Sequence, residues 1–267
     1  MQRKPAVAGM FYEGTEKALR SQVAACIPSK AEKVDVLGVV APHAGYIYSG
    51  SVAGAVYCGI QPGDTFLILG PNHTGLGAEA SLYAQGAWEF PLGKVDIDEE
   101  LGEDLLVNSR DIVRDTLAHQ SEHSIEVQVP FLQYLFHDFK ILPLCLGPLD
   151  LNRCLNIGRT IAQAVKKTKK KIVLIASTDM SHYVSREIAS KKDGMALAAM
   201  ENRDPVRLYE VVRNNHISMC GFVPTVCLMA ACNEMGATEA ALVKYSTSGD
   251  VTGDFSRVVA YAGMIIK

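Results

Sequence analysis

Ile172-Val173-Leu174-Ile175-Ala176-Ser177-Thr178-Asp179-Met180-Ser181-His182 is the stretch on which the fold turns. Its first five residues are apolar without alternation, as in a strand covered on both faces. Small and polar residues follow, and the run ends on a histidine. Two earlier stretches repeat the arrangement. Val36-Leu37-Gly38-Val39-Val40 leads into Ala41-Pro42-His43-Ala44-Gly45, and Thr65-Phe66-Leu67-Ile68-Leu69 leads into Gly70-Pro71-Asn72-His73-Thr74-Gly75. In open α/β sheets, ligands bind outside the carboxyl ends of the strands. If these three strands are parallel neighbours, His43, His73, His182 and Asp179 converge on one crevice. His119, His137 and His216 lack that context and read as surface residues or local hydrogen-bond partners.

Working outward, further strand-length runs occur at 140–144, 241–245 and 258–262, and Pro143 marks the first of these as an edge strand or a strand end. Helical patterns lie between them at 15–27, 49–58, 98–107, 124–136, 151–167, 185–200, 205–212 and 222–235. Pro130 kinks the fourth of these or marks a late start. Strand–helix alternation predicts an α/β fold with helices on both faces of the sheet. No repeat and no Pro/Gly/Ser linker divides residues 1–267, so one domain is expected.

Hydrophobic residues make up 48% of the chain and charged residues 21%, which excludes disorder as the dominant state. Lys+Arg number 26 against 29 Asp+Glu, a net charge of -3 that predicts neither a nucleic-acid footprint nor a membrane surface as partner. The run 166–171 is rich in lysine and reads as a solvated helix end. The basic N-terminus leads into no apolar signal core, and no run reaches the roughly 20 residues of a membrane span. A soluble, cytoplasmic protein is expected.

Cysteines stand at 26, 58, 145, 154, 220, 227 and 232, with no C-x-x-C pair. Most lie in apolar runs and read as reduced core thiols. Cys220, in Ser218-Met219-Cys220-Gly221-Phe222, directly precedes a helical pattern, where a thiol pKa is expected to fall. Glu122-His123-Ser124-Ile125-Glu126 offers two acids one helical turn apart, and it reads equally as a helix cap. Walker, dinucleotide-binding, G-x-S-x-G and H-E-x-x-H motifs are absent from the sequence.

These stretches, together with Arg3-Lys4-Pro5-Ala6-Val7-Ala8-Gly9 and Phe11-Tyr12, form an ordered set that resembles the Memo family. That family is related in fold to the class III extradiol dioxygenases and includes the B-type protein of the AmmeMemoRadiSam system. The resemblance spans nearly the whole chain. It implies a three-layer α/β/α domain with a mononuclear metal pocket. The dioxygenases hold iron on two histidines and a glutamate. Memo-like proteins carry a cysteine in the carboxylate's place, so the implied ligands here are His43, His73 and Cys220. Asp179, His182 and His123 are the implied polar residues of the same pocket. Iron or copper, one ion per chain, is the implied cofactor, and zinc also suits a thiolate–imidazole set.

The resemblance further implies redox or oxygen-dependent chemistry and a pathway shared with a radical-SAM protein and an AMMECR-type protein. Two other classes stay open at this point. One is a metal-free hydrolase with Cys220 as nucleophile, His182 or His43 as base, and Asp179 orienting the base. The other is a binding module for a peptide or small molecule. Metal content separates the first class from the second, and a thiol-directed probe separates the second from the third.

Overall fold

A computed structural model describes residues 2–267. The N-terminal part runs β1 (Gln2–Arg3), α1 (Glu16–Cys26), β2 (Gly38–Ala41), α2 (Tyr46–Cys58), β3 (Thr65–Pro71), β4 (Ala80–Leu82), β5 (Ala87–Phe90), β6 (Gly93–Asp96) and α3 (Glu99–Asn108). The middle holds β7 (Val113–Arg114), α4 (Val129–Leu135), β8 (Lys140–Leu146), α5 (Leu151–Lys167) and β9 (Ile172–Ser177). The chain continues through β10 (His182–Val184), α6 (Arg186–Glu201), α7 (Pro205–Asn214), α8 (Phe222–Glu234), β11 (Ala240–Thr247), α9 (Gly249–Thr252) and β12 (Val258–Ile266).

Four parallel strands in the order β2-β9-β3-β8 form the centre of the large sheet. Their residues are buried except at the outer end of β8, as their unbroken apolar runs require. β12 continues the sheet antiparallel to β2, β11 pairs with β12, and β4 and β7 extend it beyond β8. α8 lies on β3 and β9, with α5 and α7 packed against it, while α1 and α4 pack on α2, which covers β2, β11 and β12. The result is a three-layer α/β/α arrangement. β1, β5 and β6 form a separate small sheet. Among the described residues no helix is long and apolar enough to cross a membrane.

Local chemistry sets the helix starts. Asp98, Asp150, Ser185 and Asp204 each accept a hydrogen bond from the backbone N–H three residues on. One expectation is corrected. β8 is an interior strand, although it contains Pro143. The proline is tolerated because β4 stops beside it: the Tyr83 N–H reaches the Pro143 carbonyl, and the missing N–H faces the place where that partner ends. Over 124–136 Pro130 marks a late start, as one of the two readings had it: a 3-10 turn at Glu126–Gln128 precedes α4, whose first turn holds Pro130. The lysine run after α5 is occupied by ion pairs, Lys170 with Asp98 and Glu100 among them.

The N-terminal segment is pinned from within. Arg3 Nη1 donates to Glu126 Oε2 at 2.7 Å, Nε to the His119 carbonyl at 2.6 Å and Nη2 to the Glu122 carbonyl at 2.7 Å. Its guanidinium lies 4.1 Å from the centre of the Trp88 ring. Both members of the ion pair are buried. Removing one partner strands a charge away from water. Arg3→Met is therefore expected to lower the unfolding free energy by about 3–5 kcal/mol. Urea denaturation of the variant against the wild type measures it, and a loss below about 1 kcal/mol would show the pair to be dispensable.

Candidate metal centre

Parallel register brings the histidine-bearing loops together. Ala41 at the end of β2 stands opposite Ser177 at the end of β9, and Leu69 of β3 opposite Ala176. The loops that follow open on the same sheet edge. There they enclose a cavity of about 930 Å³ whose walls include His43, His73, His123, Asp179, His182 and Cys220. The six candidate site residues of the sequence reading thus line one cavity, while Glu122 and Glu126 lie behind it.

His43 is buried, and burial, reinforced by the nearby His123 and His73, holds its pKa well below the ordinary imidazole value. Its backbone N–H donates to Asp179 Oδ1 at 2.8 Å, and its Nδ1 lies 2.8 Å from the Ser177 hydroxyl. His73 sits on the loop after β3. Its Nδ1 lies 3.0 Å from Glu122 Oε1, and its backbone N–H donates to Glu122 Oε2 at 2.6 Å. The same carboxylate accepts the backbone N–H groups of His123 and Ser124. Burial raises the Glu122 pKa, but the His73 ring and these N–H groups outweigh it and bring it down to about 2. For His73, burial is likewise outweighed by Glu122, and its pKa is raised. Because a carboxylate only accepts, His73 Nδ1 carries the proton and neutral His73 presents the Nε2 lone pair.

His123 stacks on His73 with ring centroids 4.8 Å apart, and Phe11 packs against it. Burial lowers its pKa. Candidate donor atoms of His43, His73 and His123 all lie within 4.8 Å of one another. His73, whose Nδ1–H is held by the Glu122 carboxylate, is a ready metal ligand through Nε2, and a cluster of three imidazoles suits a transition-metal ion. Where the sequence reading placed His123 beside the ligand set, the chain places it among the imidazoles. Cys220 Sγ lies 3.2 Å from His43 Nε2 but stands outside the group of three mutually close donors.

Cys220 stands just before α8, and Gly221 lets it approach β9. A Cβ at Gly221 would lie 2.2 Å from the Ser177 carbonyl oxygen. The expected fall in the thiol pKa is overturned: burial pushes it up, and the Asp179 charge adds to the rise. Desolvation at this partly buried helix start is the largest influence on the thiol. The Asp179 carboxyl is itself raised by burial. His182 Nδ1 lies 2.8 Å from the Met180 carbonyl and 2.9 Å from that of Ser218, so it too is the protonated nitrogen.

On the outer wall, Tyr183 takes a left-handed backbone with φ 58°, where β10 slips register against β12. The slip turns its exposed ring onto the cavity rim, 5.9 Å from the Arg257 guanidinium carbon. Among the histidines without a strand-end context, His119 is a core residue: its Nε2 bonds the Ser81 carbonyl, and burial lowers its pKa to about 4. Sequence reasoning missed the supporting roles of Glu122, Ser177 and Gln128. Only the adjacency of Glu122 to His123 hinted at the first.

The raised thiol has a measurable consequence. In metal-free protein near pH 7, iodoacetamide is expected to alkylate Cys220 more than about 10-fold more slowly than free cysteine. Asp179→Asn removes the neighbouring charge and is expected to speed the reaction. Peptide mass spectrometry over time reads both rates, and a fast wild-type reaction would contradict the burial argument.

Comparison with known proteins agrees with this architecture. The model of the family described as Memo-like protein matches residues 3–265. A MEMO1 family protein of Methanococcoides burtonii is 45% identical over 267 residues, covering 99% of this chain and 100% of that protein. Another, from Methanopyrus kandleri, is 40% identical over 281 residues, covering 100% and 99%. An uncharacterised protein of Escherichia coli K12 shares the fold, with a TM-score of 0.58 at 10% identity over 85% of this chain and 98% of that one. With a family match running almost from end to end and relatives that align over their whole length, the chain belongs to the Memo-like protein family.

Proposed function

We propose that this protein is a mononuclear metalloprotein in which His43, His73 and His123 hold one iron or copper ion, with Cys220 as a further ligand, and that it carries out redox or oxygen-dependent chemistry on a small molecule. The observation that carries the reading is the group of three imidazoles with donor atoms within 4.8 Å of one another on a single cavity. Bound there, iron or copper would supply a Lewis acid and a one-electron couple.

The chain's own groups have separate tasks. Glu122 orients His73 and stays ionised beside it. Asp179 holds the His43 backbone and, with its raised pKa, is suited to taking and returning a proton. His182 keeps Nδ1 bound to carbonyls, which leaves Nε2 to accept a proton from a substrate in the cavity. Phe11, Tyr48 and Tyr261 give the same cavity an aromatic part of its wall. A hydrolase built on Cys220 and His43 is disfavoured, because burial and Asp179 keep the thiol protonated. A bound cation would reverse that balance and favour the thiolate.

The test is anaerobic loading with Fe(II) or Cu(I), with stoichiometry and affinity measured for the wild type and four variants. The wild type is expected to take one ion per chain. His43→Ala and His73→Ala are expected to weaken binding more than about 100-fold, and His123→Ala and Cys220→Ser at least about 10-fold. Affinity should fall as pH drops below about 6, where imidazoles are protonated. Equal binding by all five proteins, or none tighter than about micromolar, would overturn the proposal.

A further inference from the structure

His43 differs from His73 and His182 in one respect. Its Nδ1 partner is the Ser177 hydroxyl, a group that can either give or accept a proton. The contact alone leaves open which ring nitrogen carries hydrogen, and therefore whether Nε2 has a lone pair for an ion or for the Cys220 thiol. The surrounding hydrogen bonds decide it.

Gln128 sets the direction. Its side-chain Nε2 lies 2.9 Å from the Pro42 carbonyl and 2.7 Å from Ser177 Oγ, while its Oε1 lies 2.7 Å from the Tyr57 hydroxyl. A carbonyl cannot donate, so the group facing Pro42 must be the amide NH2. The flipped amide would set two oxygens against each other. With the amide oriented, one of its N–H groups points at Ser177 Oγ. Ser177 Oγ also lies 2.6 Å from the Ser124 carbonyl, which again can only accept. The single Ser177 proton therefore goes to Ser124. Toward His43, the serine has only a lone pair to offer. Tyr57, Ser124, Gln128 and Ser177 are all buried to 0% exposure, so solvent offers the hydroxyl no competing partner.

We infer that Gln128 and Ser177 are positioning residues that hold His43 in the Nδ1–H tautomer, so that Nε2 presents a lone pair to Cys220 and to any ion in the cavity. The Cys220 S–H then donates to Nε2 across 3.2 Å in the ion-free protein. The polarity originates in parts of the chain far apart in sequence: Tyr57 on α2, Pro42 after β2, Ser124 and Gln128 around the 3-10 turn, and Ser177 at the end of β9. The same direction of protonation then holds at His43, His73 and His182, each enforced by a different acceptor. This assignment deepens the metal-site reading but rests on it only for the affinity measurement below.

The test reads the tautomer directly. Metal-free, 15N-labelled protein near pH 8, where a histidine is neutral, reports through ring-proton correlations which nitrogen is protonated, and His43→Ala identifies the signal. The wild type is expected to show Nδ1–H at His43, and Nε2–H there would overturn the inference. Gln128→Met keeps the volume but removes the N–H that fixes Ser177. It is expected to give a mixture of tautomers and to lower Fe(II) or Cu(I) affinity by roughly 10- to 100-fold. Ser177→Ala should act in the same direction, and Ser177→Thr, which keeps the hydroxyl, should keep the wild-type tautomer. If Gln128→Met folds and keeps a pure Nδ1–H signal, the positioning role fails. Should the wild type show Nδ1–H but bind no ion, the metal reading fails and the tautomer assignment stands.

Discussion

A carboxylate with no exposed surface must find its partners inside the protein, and Glu126 finds them in the first twelve residues of the chain. Its oxygens accept the backbone N–H groups of Ala6 and Val7, the Tyr12 hydroxyl and the Arg3 guanidinium. Left unpaired, such a charge would cost several kcal/mol; satisfied on every side, it fixes where the N-terminal segment lies. It also fixes the segment from Glu122 to Gln128. Arg3 holds the Glu122 carbonyl, Glu122 holds His73, and Gln128 reaches Ser177 behind His43. Two imidazoles on different strand-end loops are thus aligned by one short stretch that belongs to neither.

The histidines divide the work with the opposite wall. The inner side of the cavity is made of sheet ends and buried hydrogen bonds. The outer side comes from the C-terminal third, with Tyr183 at its register slip, Arg257 beside it and Tyr261 on β12. The inner groups carry the hydrogen bonds that fix the imidazoles, while the outer ones complete the cavity wall.

The central strands were legible because parallel strands covered on both faces leave runs of Val, Ile and Leu that little else produces. The histidines after them were legible through their recurrence at equivalent places. Glu122, Ser177 and Gln128 were not, since their partners lie 49 or more positions away and leave no local period. Cys220 was found by its position before α8, but the direction of its pKa was misread, because sequence shows a helix start and does not show how deeply it is buried. Pro143 misled for a related reason. A proline forbids one hydrogen bond, and only the neighbouring strand's length tells whether that bond was needed. The short β1, β4, β5, β6 and β7 carry too few residues to show alternation at all.

β12 occupies a place in the sheet out of keeping with its place in the chain. Residues 258–266 pair with β2 on one side and β11 on the other, and their first residues with β10. During synthesis, then, β2 is made more than two hundred residues before the strand that completes its pairing. The exposed flank of a half-finished parallel sheet must wait at the ribosome, an open template for wrong partners. Contacts this distant also slow the final closure of the sheet. Closure of the sheet along β2 is therefore expected to wait until β12 has been made.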